Sequence, residues 1–105
     1  MGLIPRAGSS PAFGTIIFTV YAIKSIEHNF TYVGMTEKLE DRLKRHNSGF
    51  VRSTKNFAPF FLFYTEHYPT GKQAREREKF LKSTSGKRFL KSILVSLNNN
   101  NEIGR

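Results

Sequence analysis

A polar pair lies among leucines on one face of a short predicted helix. The spacing i, i+3, i+4 and i+7 puts four residues on that face: Leu39, Arg42, Leu43 and His46. The leucines would pack against the core, so the guanidinium and the imidazole would lie side by side where the helix meets the rest of the domain. Together the two groups could hold a phosphate.

A carboxylate occupies an inward position on a second predicted helix. Its inner face carries, at i, i+4 and i+7, Ala74, Glu78 and Leu81. A carboxylate on a packing face costs free energy unless a positive group meets it. Two interpretations remain open for Glu78, namely an ion pair with Arg75 or Lys82 at helical spacing, and a role in a functional site. Glu76 points elsewhere and is expected to be a surface acid.

Three strands and three helices must position these side chains. Aromatic and β-branched runs predict strands at 16–24, 30–34 and 60–66, the first two forming a hairpin. Helices are predicted after Thr36 as N-cap, over 71–84 after the capping box of Thr70 and Gln73, and beyond a break at Ser85-Gly86. The pattern predicts an α+β fold. Strand alternation puts Tyr21 on one face with Thr19 and Ile23, opposite Val20.

The two ends of the chain lack periodicity. Residues 1–15 are rich in Pro, Gly, Ser and Ala and predict a disordered extension. Whether it is native stays open; of two non-native origins, a cleavable linker and a start codon assigned too far upstream, we favour the second. The last helix is expected to end near Leu97, so that 98–105 forms a disordered tail. One domain is therefore predicted, over 16–97.

Charge and composition indicate the kind of partner. The 17 Lys+Arg outnumber the 8 Asp+Glu, giving a net charge of +9, and the chain has no cysteine. A basic domain with many aromatic residues favours a polyanion such as nucleic acid, although a merely soluble basic surface is an alternative. With no long apolar run and no signal-peptide pattern, we expect no membrane association and a cytoplasmic protein. Candidate nucleic-acid contacts are Lys44, Arg45, Arg52, Lys55 and Lys72.

The ordered set of motifs resembles the GIY-YIG nuclease domain, and most closely its small stand-alone bacterial members. The set runs through Thr19-Val20-Tyr21, Tyr32-Val33-Gly34, Arg42, His46, Ala74, Arg77-Glu78 and Leu81-Lys82. It covers roughly residues 17–95. The first triplet departs from the family pattern in its first two residues and the second in its middle residue, while both tyrosines and the second glycine are kept. The chain offers no equivalent of the C-terminal asparagine that some members use.

The resemblance implies a three-stranded antiparallel sheet flanked by about three helices, and metal-dependent hydrolysis of DNA phosphodiester bonds. By match, Glu78 would bind one divalent ion, Mg²⁺ or Mn²⁺, and Arg42 would bind the scissile phosphate. Tyr21 would serve as, or help to position, the general base for water, with Tyr32 and His46 assisting. Since an unperturbed phenol is a poor base at neutral pH, Tyr21 would need positive charge beside it.

Two other functions remain open. The same basic surface could bind nucleic acid without cutting it, or the protein could cut only when a partner protein delivers the substrate. The inward Glu78 argues against a pure polyanion binder, because a carboxylate repels phosphate.

Overall fold

The computed structural model describes residues 16–103, and their side chains as far as Asn98. The predicted extension 1–15 lies outside the described residues. Three strands, β1 (Phe18–Ser25), β2 (Thr31–Thr36) and β3 (Phe60–Tyr68), form an antiparallel sheet in the order β2-β1-β3. The helices are α1 (Leu39–Asn47), α2 (Gly71–Lys82) and α3 (Thr84–Ile103), with a 3-10 turn at Lys55–Phe57. The predicted α+β architecture is confirmed.

The central strand β1 divides the core between the two faces of the sheet, as strand alternation predicted. Val20 and Ala22 pack with buried residues of α2 and α3. Tyr21 and Ile23 point the other way and pack with residues of α1 and the loop before β3. Both sets are fully buried, because β1 is covered by helices on one face and by α1 and its loop on the other. The sheet therefore carries a largely apolar layer on one side and a layer with polar groups on the other.

The break between α2 and α3 falls at Ser83, earlier than the predicted break at Ser85-Gly86. Gly86 instead lies buried in the first turn of α3. A Cβ at that position would collide with the Phe80 carbonyl and with the Leu81 backbone. Glycine is needed there for close packing of consecutive helices rather than for breaking a helix.

Two helix ends also differ from the sequence-based expectations, and a third agrees. The N-cap of α1 is Lys38, whose own N–H donates to Thr36 Oγ1 at 3.0 Å, so Thr36 supports the turn before the helix instead of capping it. Helix α3 extends to Ile103, past the expected end near Leu97. Thr70 caps α2 as predicted, accepting from Gln73 N–H at 3.2 Å. No helix in the described part of the chain is long and apolar enough to cross a membrane.

Candidate active site

Helix α1 places its polar pair directly over Tyr21 of β1. The Tyr21 hydroxyl lies 2.8 Å from His46 Nε2, and Arg42 Nε donates to the same hydroxyl at 3.4 Å. The other imidazole nitrogen, His46 Nδ1, lies 2.8 Å from Thr54 Oγ1. Tyr21, His46 and Thr54 are fully buried. Strand β1, helix α1 and the loop after it thus contribute to one hydrogen-bonded chain, which consists of Arg42, Tyr21, His46 and Thr54.

The donors in this chain can be assigned from its two ends. The Thr54 hydroxyl donates to the Val51 carbonyl at 3.4 Å, so its oxygen accepts from the Nδ1–H of a neutral imidazole. The unprotonated Nε2 then accepts from the Tyr21 hydroxyl, whose oxygen accepts in turn from Arg42, a group that can only donate. In this hydrogen-bonded chain each donor thus faces an acceptor, which holds His46 in the tautomer with its proton on Nδ1.

Gly34 makes room for the Tyr21 side chain. It pairs with Tyr21 across β1 and β2. A Cβ on Gly34 would lie 2.7 Å from the Tyr21 hydroxyl oxygen and 3.0 Å from the Tyr32 ring. Both tyrosines therefore depend on a glycine at this register position, which explains the final residue of the Tyr32-Val33-Gly34 triplet physically.

Burial shifts the pKa values of Tyr21 and His46 in the directions that favour their neutral forms. It raises the pKa of Tyr21 to about 12, although the hydrogen bond from Arg42 acts in the opposite direction. Burial, together with the charge of Arg42, lowers the pKa of His46 to about 4. At neutral pH the free protein therefore holds a protonated phenol and a neutral imidazole. A phenol that acts as a base near neutral pH needs positive charge beside it. Arg42 supplies that charge, but it lowers the pKa of Tyr21 by less than burial raises it.

Arg42 is half-buried, and its charge has no acidic partner among the described side chains. The hydrogen bond to Tyr21 raises the pKa of Arg42, and Tyr32 contributes in the same direction. Among the side chains of residues 16–98, no carboxylate lies within 4 Å of this guanidinium. Tyr32 lies at the edge of the cluster, with its ring centroid 4.9 Å from that of His46 and 6.3 Å from that of Tyr21. An anion can therefore approach Arg42 without displacing a protein carboxylate.

Glu78 does not belong to the hydrogen-bonded chain. Its carboxylate forms an ion pair with Lys82 at 3.1 Å and is 19% exposed, which is one of the two interpretations left open by the sequence. No hydrogen bond or ion pair within the described residues joins Glu78 to Tyr21 or Arg42. Its negative charge does contribute to the raised pKa of Tyr21. The four other predicted site residues thus come together, and the charge of Glu78 acts on one of them, Tyr21.

A hydrated divalent ion is compatible with Glu78 as its protein ligand. Magnesium keeps several waters and commonly takes only one or two carboxylates together with substrate phosphate oxygens. Within the described residues no group of three His, Cys, Asp or Glu side chains is suited to a metal ion, which rules out a cage built from those side chains alone. Lys82 is the only cationic group within 4 Å of the Glu78 carboxylate in that part of the chain, so an ion would replace one partner.

Thr54 is the site residue that the sequence analysis missed. It lies in the basic loop between α1 and β3, and its neighbours Ser53 and Lys55 are exposed while it is fully buried. No periodic pattern in that loop distinguishes Thr54 from Ser53. The predicted nucleic-acid contacts are all exposed, on α1, this loop and α2, and their role stays a prediction: Lys44, Arg45, Arg52, Lys55 and Lys72.

Comparison with known proteins assigns the chain to a family. Residues 17–91 match the GIY-YIG catalytic domain, a match that includes β1, β2, all of the hydrogen-bonded chain and Glu78. The protein belongs to the GIY-YIG family, whose members are endonucleases.

Its relatives are small UPF0213 proteins. It is 32% identical to one from Clostridium perfringens, over 70% of this chain and 80% of the relative. It is 35% identical to one from Staphylococcus haemolyticus, over 70% and 90% of the two chains. A solution structure of a UPF0213 protein from Bacillus halodurans is 28% identical and covers 74% of this chain and 85% of that one, with a TM-score of 0.46. The UPF0213 proteins are uncharacterised.

Proposed function

We propose that the protein is a metal-dependent endonuclease that hydrolyses DNA phosphodiester bonds at the Arg42–Tyr21–His46 cluster. The observation that carries the proposal is a buried, fully directed hydrogen-bonded chain that ends at an arginine with no carboxylate partner among the described residues. Membership of a family of endonucleases supports the same reaction class. The steps below assign a role to each side chain.

Arg42 binds the scissile phosphate. The guanidinium matches the geometry of a phosphate and stays charged at any working pH. Its hydrogen bond to Tyr21 fixes the Nε side, which leaves its other N–H groups for phosphate oxygens. Since charge builds up on the phosphate during attack, a pre-positioned donor stabilises the transition state more than the ground state.

Tyr21 and His46 remove a proton from the attacking water. The Tyr21 oxygen accepts a proton from water as its own proton passes to His46 Nε2, and the water oxygen forms the new bond to phosphorus while the bond to the leaving oxygen breaks. The leaving oxygen takes a proton from solvent, to which His46 afterwards returns its own proton through Tyr21. His46 becomes an imidazolium that donates through Nδ1 to Thr54. A phosphate on Arg42 offsets the positive charge that helps to lower the pKa of His46, which makes the imidazole a better acceptor once substrate is bound.

Glu78 is the proposed ligand of one Mg²⁺ or Mn²⁺ ion. When bound, such an ion stabilises charge on the phosphate and lowers the pKa of a coordinated water. Glu78 would exchange its ion pair with Lys82 for the cation, and Lys82 would then be free to meet a substrate phosphate. Tyr32, which lies beside His46, contacts the phosphate or assists proton transfer.

A nucleic-acid-binding module without activity of its own is the second candidate. The observation that favours it is the ion pair of Glu78 with Lys82, which satisfies the inward carboxylate without a metal. In a variant of this candidate, a partner protein delivers the substrate and the protein cuts only in that complex.

Nicking of supercoiled plasmid by the purified protein separates these candidates. Wild type, Arg42→Ala and Glu78→Ala are compared in Mg²⁺, Mn²⁺ and EDTA, with binding to the same DNA measured in parallel. The expected result is metal-dependent nicking by wild type, and binding without nicking by both variants. If all three proteins bind and none cuts plasmid, branched or single-stranded DNA, the binding-module candidate replaces the proposal. Glu76→Ala is the matched control, because Glu76 is an exposed acid on the same helix.

A further inference from the structure

A groove of about 690 Å³ runs beside the candidate site, between the outer strand β2 and helix α3. It shares Tyr32 with the site, and Lys82, the ion-pair partner of Glu78, also lines it. None of the predicted nucleic-acid contacts lies in this groove. Its lining combines lysines, apolar side chains and a few uncharged polar residues.

The basic groups come from three elements. Four lysines line the groove: Lys24, Lys82, Lys87 and Lys91. Of the described residues, none that lines it is acidic. Lys24 is held in position by hydrogen bonds to the carbonyls of Ser25 and His28, each at 2.8 Å. The lysines on α2 and α3 are exposed. Such a row of cations fits a chain of phosphates better than a single small anion.

The floor is apolar. Val33, Leu81 and Leu90 form its buried part, and the half-buried Leu94 extends it. Phe30 and Tyr32 also belong to the wall along β2, but their rings pack on the α1 face, against Phe57 and His46. A DNA duplex shows its phosphates to a protein and keeps its base faces stacked inside, so an apolar floor would have nothing to contact. An unpaired strand offers both phosphates and free base faces.

We propose that this groove binds an unpaired nucleic-acid strand, with phosphates on the lysines and bases against the apolar floor. Strand binding does not depend on the proposed function; the position of the strand next to the scissile phosphate, and the substrate class that follows from it, rest on that function. The groove therefore makes branched, flapped or single-stranded DNA the expected substrate class rather than intact duplex.

The test is equilibrium binding in EDTA, where no cleavage occurs. Labelled oligothymidylate, oligouridylate and a DNA duplex of equal length are titrated against wild type, the double variant Lys87→Gln/Lys91→Gln, and the control Lys38→Gln/Lys79→Gln. The control removes the same charge from exposed positions outside the groove. Oligothymidylate and oligouridylate distinguish single-stranded DNA from single-stranded RNA as the strand that the groove favours.

Wild type is expected to bind a single strand more tightly than duplex. The groove variant should lose roughly tenfold in single-strand affinity, and its salt slope should fall by about 1.4, since each phosphate contact on a single strand contributes about 0.7. Val95→Asp, at a half-exposed groove position that is not needed for the core, should weaken single-strand binding as well. The charge control should retain a steeper salt slope than the groove variant.

Three results would overturn the proposal: tighter binding of duplex than of either single strand, equal losses in the groove and control variants, or self-association of wild type that Val95→Asp abolishes while strand binding persists. The last result would make the groove a contact between two copies. If single strands bind as expected but nothing is cut with Mg²⁺ or Mn²⁺, the groove inference stands and the endonuclease proposal fails. If plasmid is nicked and the groove variant binds strands normally, the reverse holds.

Discussion

Two clusters of closely similar composition lie on opposite faces of the sheet. Each contains two tyrosines and one arginine. On the α2 face, Arg77 donates to both oxygens of Glu66, at 2.9 and 3.0 Å, and the hydroxyls of Tyr64 and Tyr68 donate to the same carboxylate. On the α1 face, no carboxylate of the described residues contacts the cluster of Tyr21, Tyr32, Arg42 and His46.

The carboxylate decides what each cluster can do. In the Glu66 cluster every charge is paired, and the Arg77 guanidinium also lies 4.9 Å from the Phe80 ring centroid, so the cluster joins β3 to α2 and α3 and has no capacity left for an anion. In the Arg42 cluster, no carboxylate of the described residues takes the place beside the arginine that Glu66 takes beside Arg77. The same residue types therefore stabilise the fold on one face and are suited to bind phosphate on the other.

Removing one hydroxyl from each cluster should give the largest contrast. Tyr21→Phe takes away the group that we propose relays the proton, so nicking should slow by roughly 10²- to 10⁴-fold. Tyr64→Phe should leave the nicking rate per folded molecule unchanged and lower the free energy of unfolding by about 1 kcal/mol. Initial rates on supercoiled plasmid and urea denaturation of both variants measure the two effects. Equal losses of rate would show that the two faces do not differ in function.

The two arginines should differ in the same way. Arg42→Gln should lower the nicking rate by roughly 10²- to 10³-fold, because a donor to the phosphate is lost from the transition state. Arg77→Gln leaves a partly exposed carboxylate without its cation and should cost about 2 kcal/mol of stability, with little change in rate. Single-turnover rates and denaturation midpoints separate the outcomes. A stable, inactive Arg77→Gln protein would contradict the structural role of the Glu66 cluster.

Acid should destabilise the protein through the α1 face. The pKa of His46 is about 4 in the fold and about 6.5 in the unfolded chain. Between those pH values the unfolded chain binds a proton that the folded chain does not, so stability falls as the pH is lowered from about 6.5 to about 4. The loss is on the order of 3 kcal/mol.

Urea denaturation across this pH range measures that loss, and NMR titration of the His46 ring gives its pKa in the fold directly. His46→Gln should flatten the dependence over the same range. A ring that titrates near its ordinary value would show that burial and the charge of Arg42 do not lower the pKa of His46.

Thr54 should have the smallest effect, through positioning. Thr54→Val removes the acceptor for His46 Nδ1–H, which frees the imidazole to change tautomer and should slow nicking roughly tenfold. Thr54→Ser keeps the hydroxyl and should restore the rate. Nitrogen chemical shifts of His46 report the tautomer independently of activity. If Thr54→Val and Thr54→Ser nick DNA at the same rate and His46 keeps its tautomer in both, Thr54 serves packing only.

Much of the site could be predicted from local pattern. Strand alternation alone separates Tyr21 from Val20, and helical spacing alone puts Arg42 and His46 on the face that packs inward. These assignments need only the periods of 2 and 3.6 residues, which the covalent chain imposes wherever a strand or a helix forms. The sequence therefore predicted the three strands and the presence of three helices, though not every helix end. Of the five residues that the resemblance singled out, Tyr21, Tyr32, Arg42 and His46 lie together in the candidate site.

Contacts between residues of different elements could not be predicted from the sequence. Thr54 is buried because a loop without periodicity folds over α1, and Glu66 pairs with Arg77 because the register of β3 brings it under α2. Gly86 lies inside a helix because two helices pack closely in succession. Such contacts join residues that local periodicity does not relate, and they depend on register and packing density. No period in the sequence encodes either quantity.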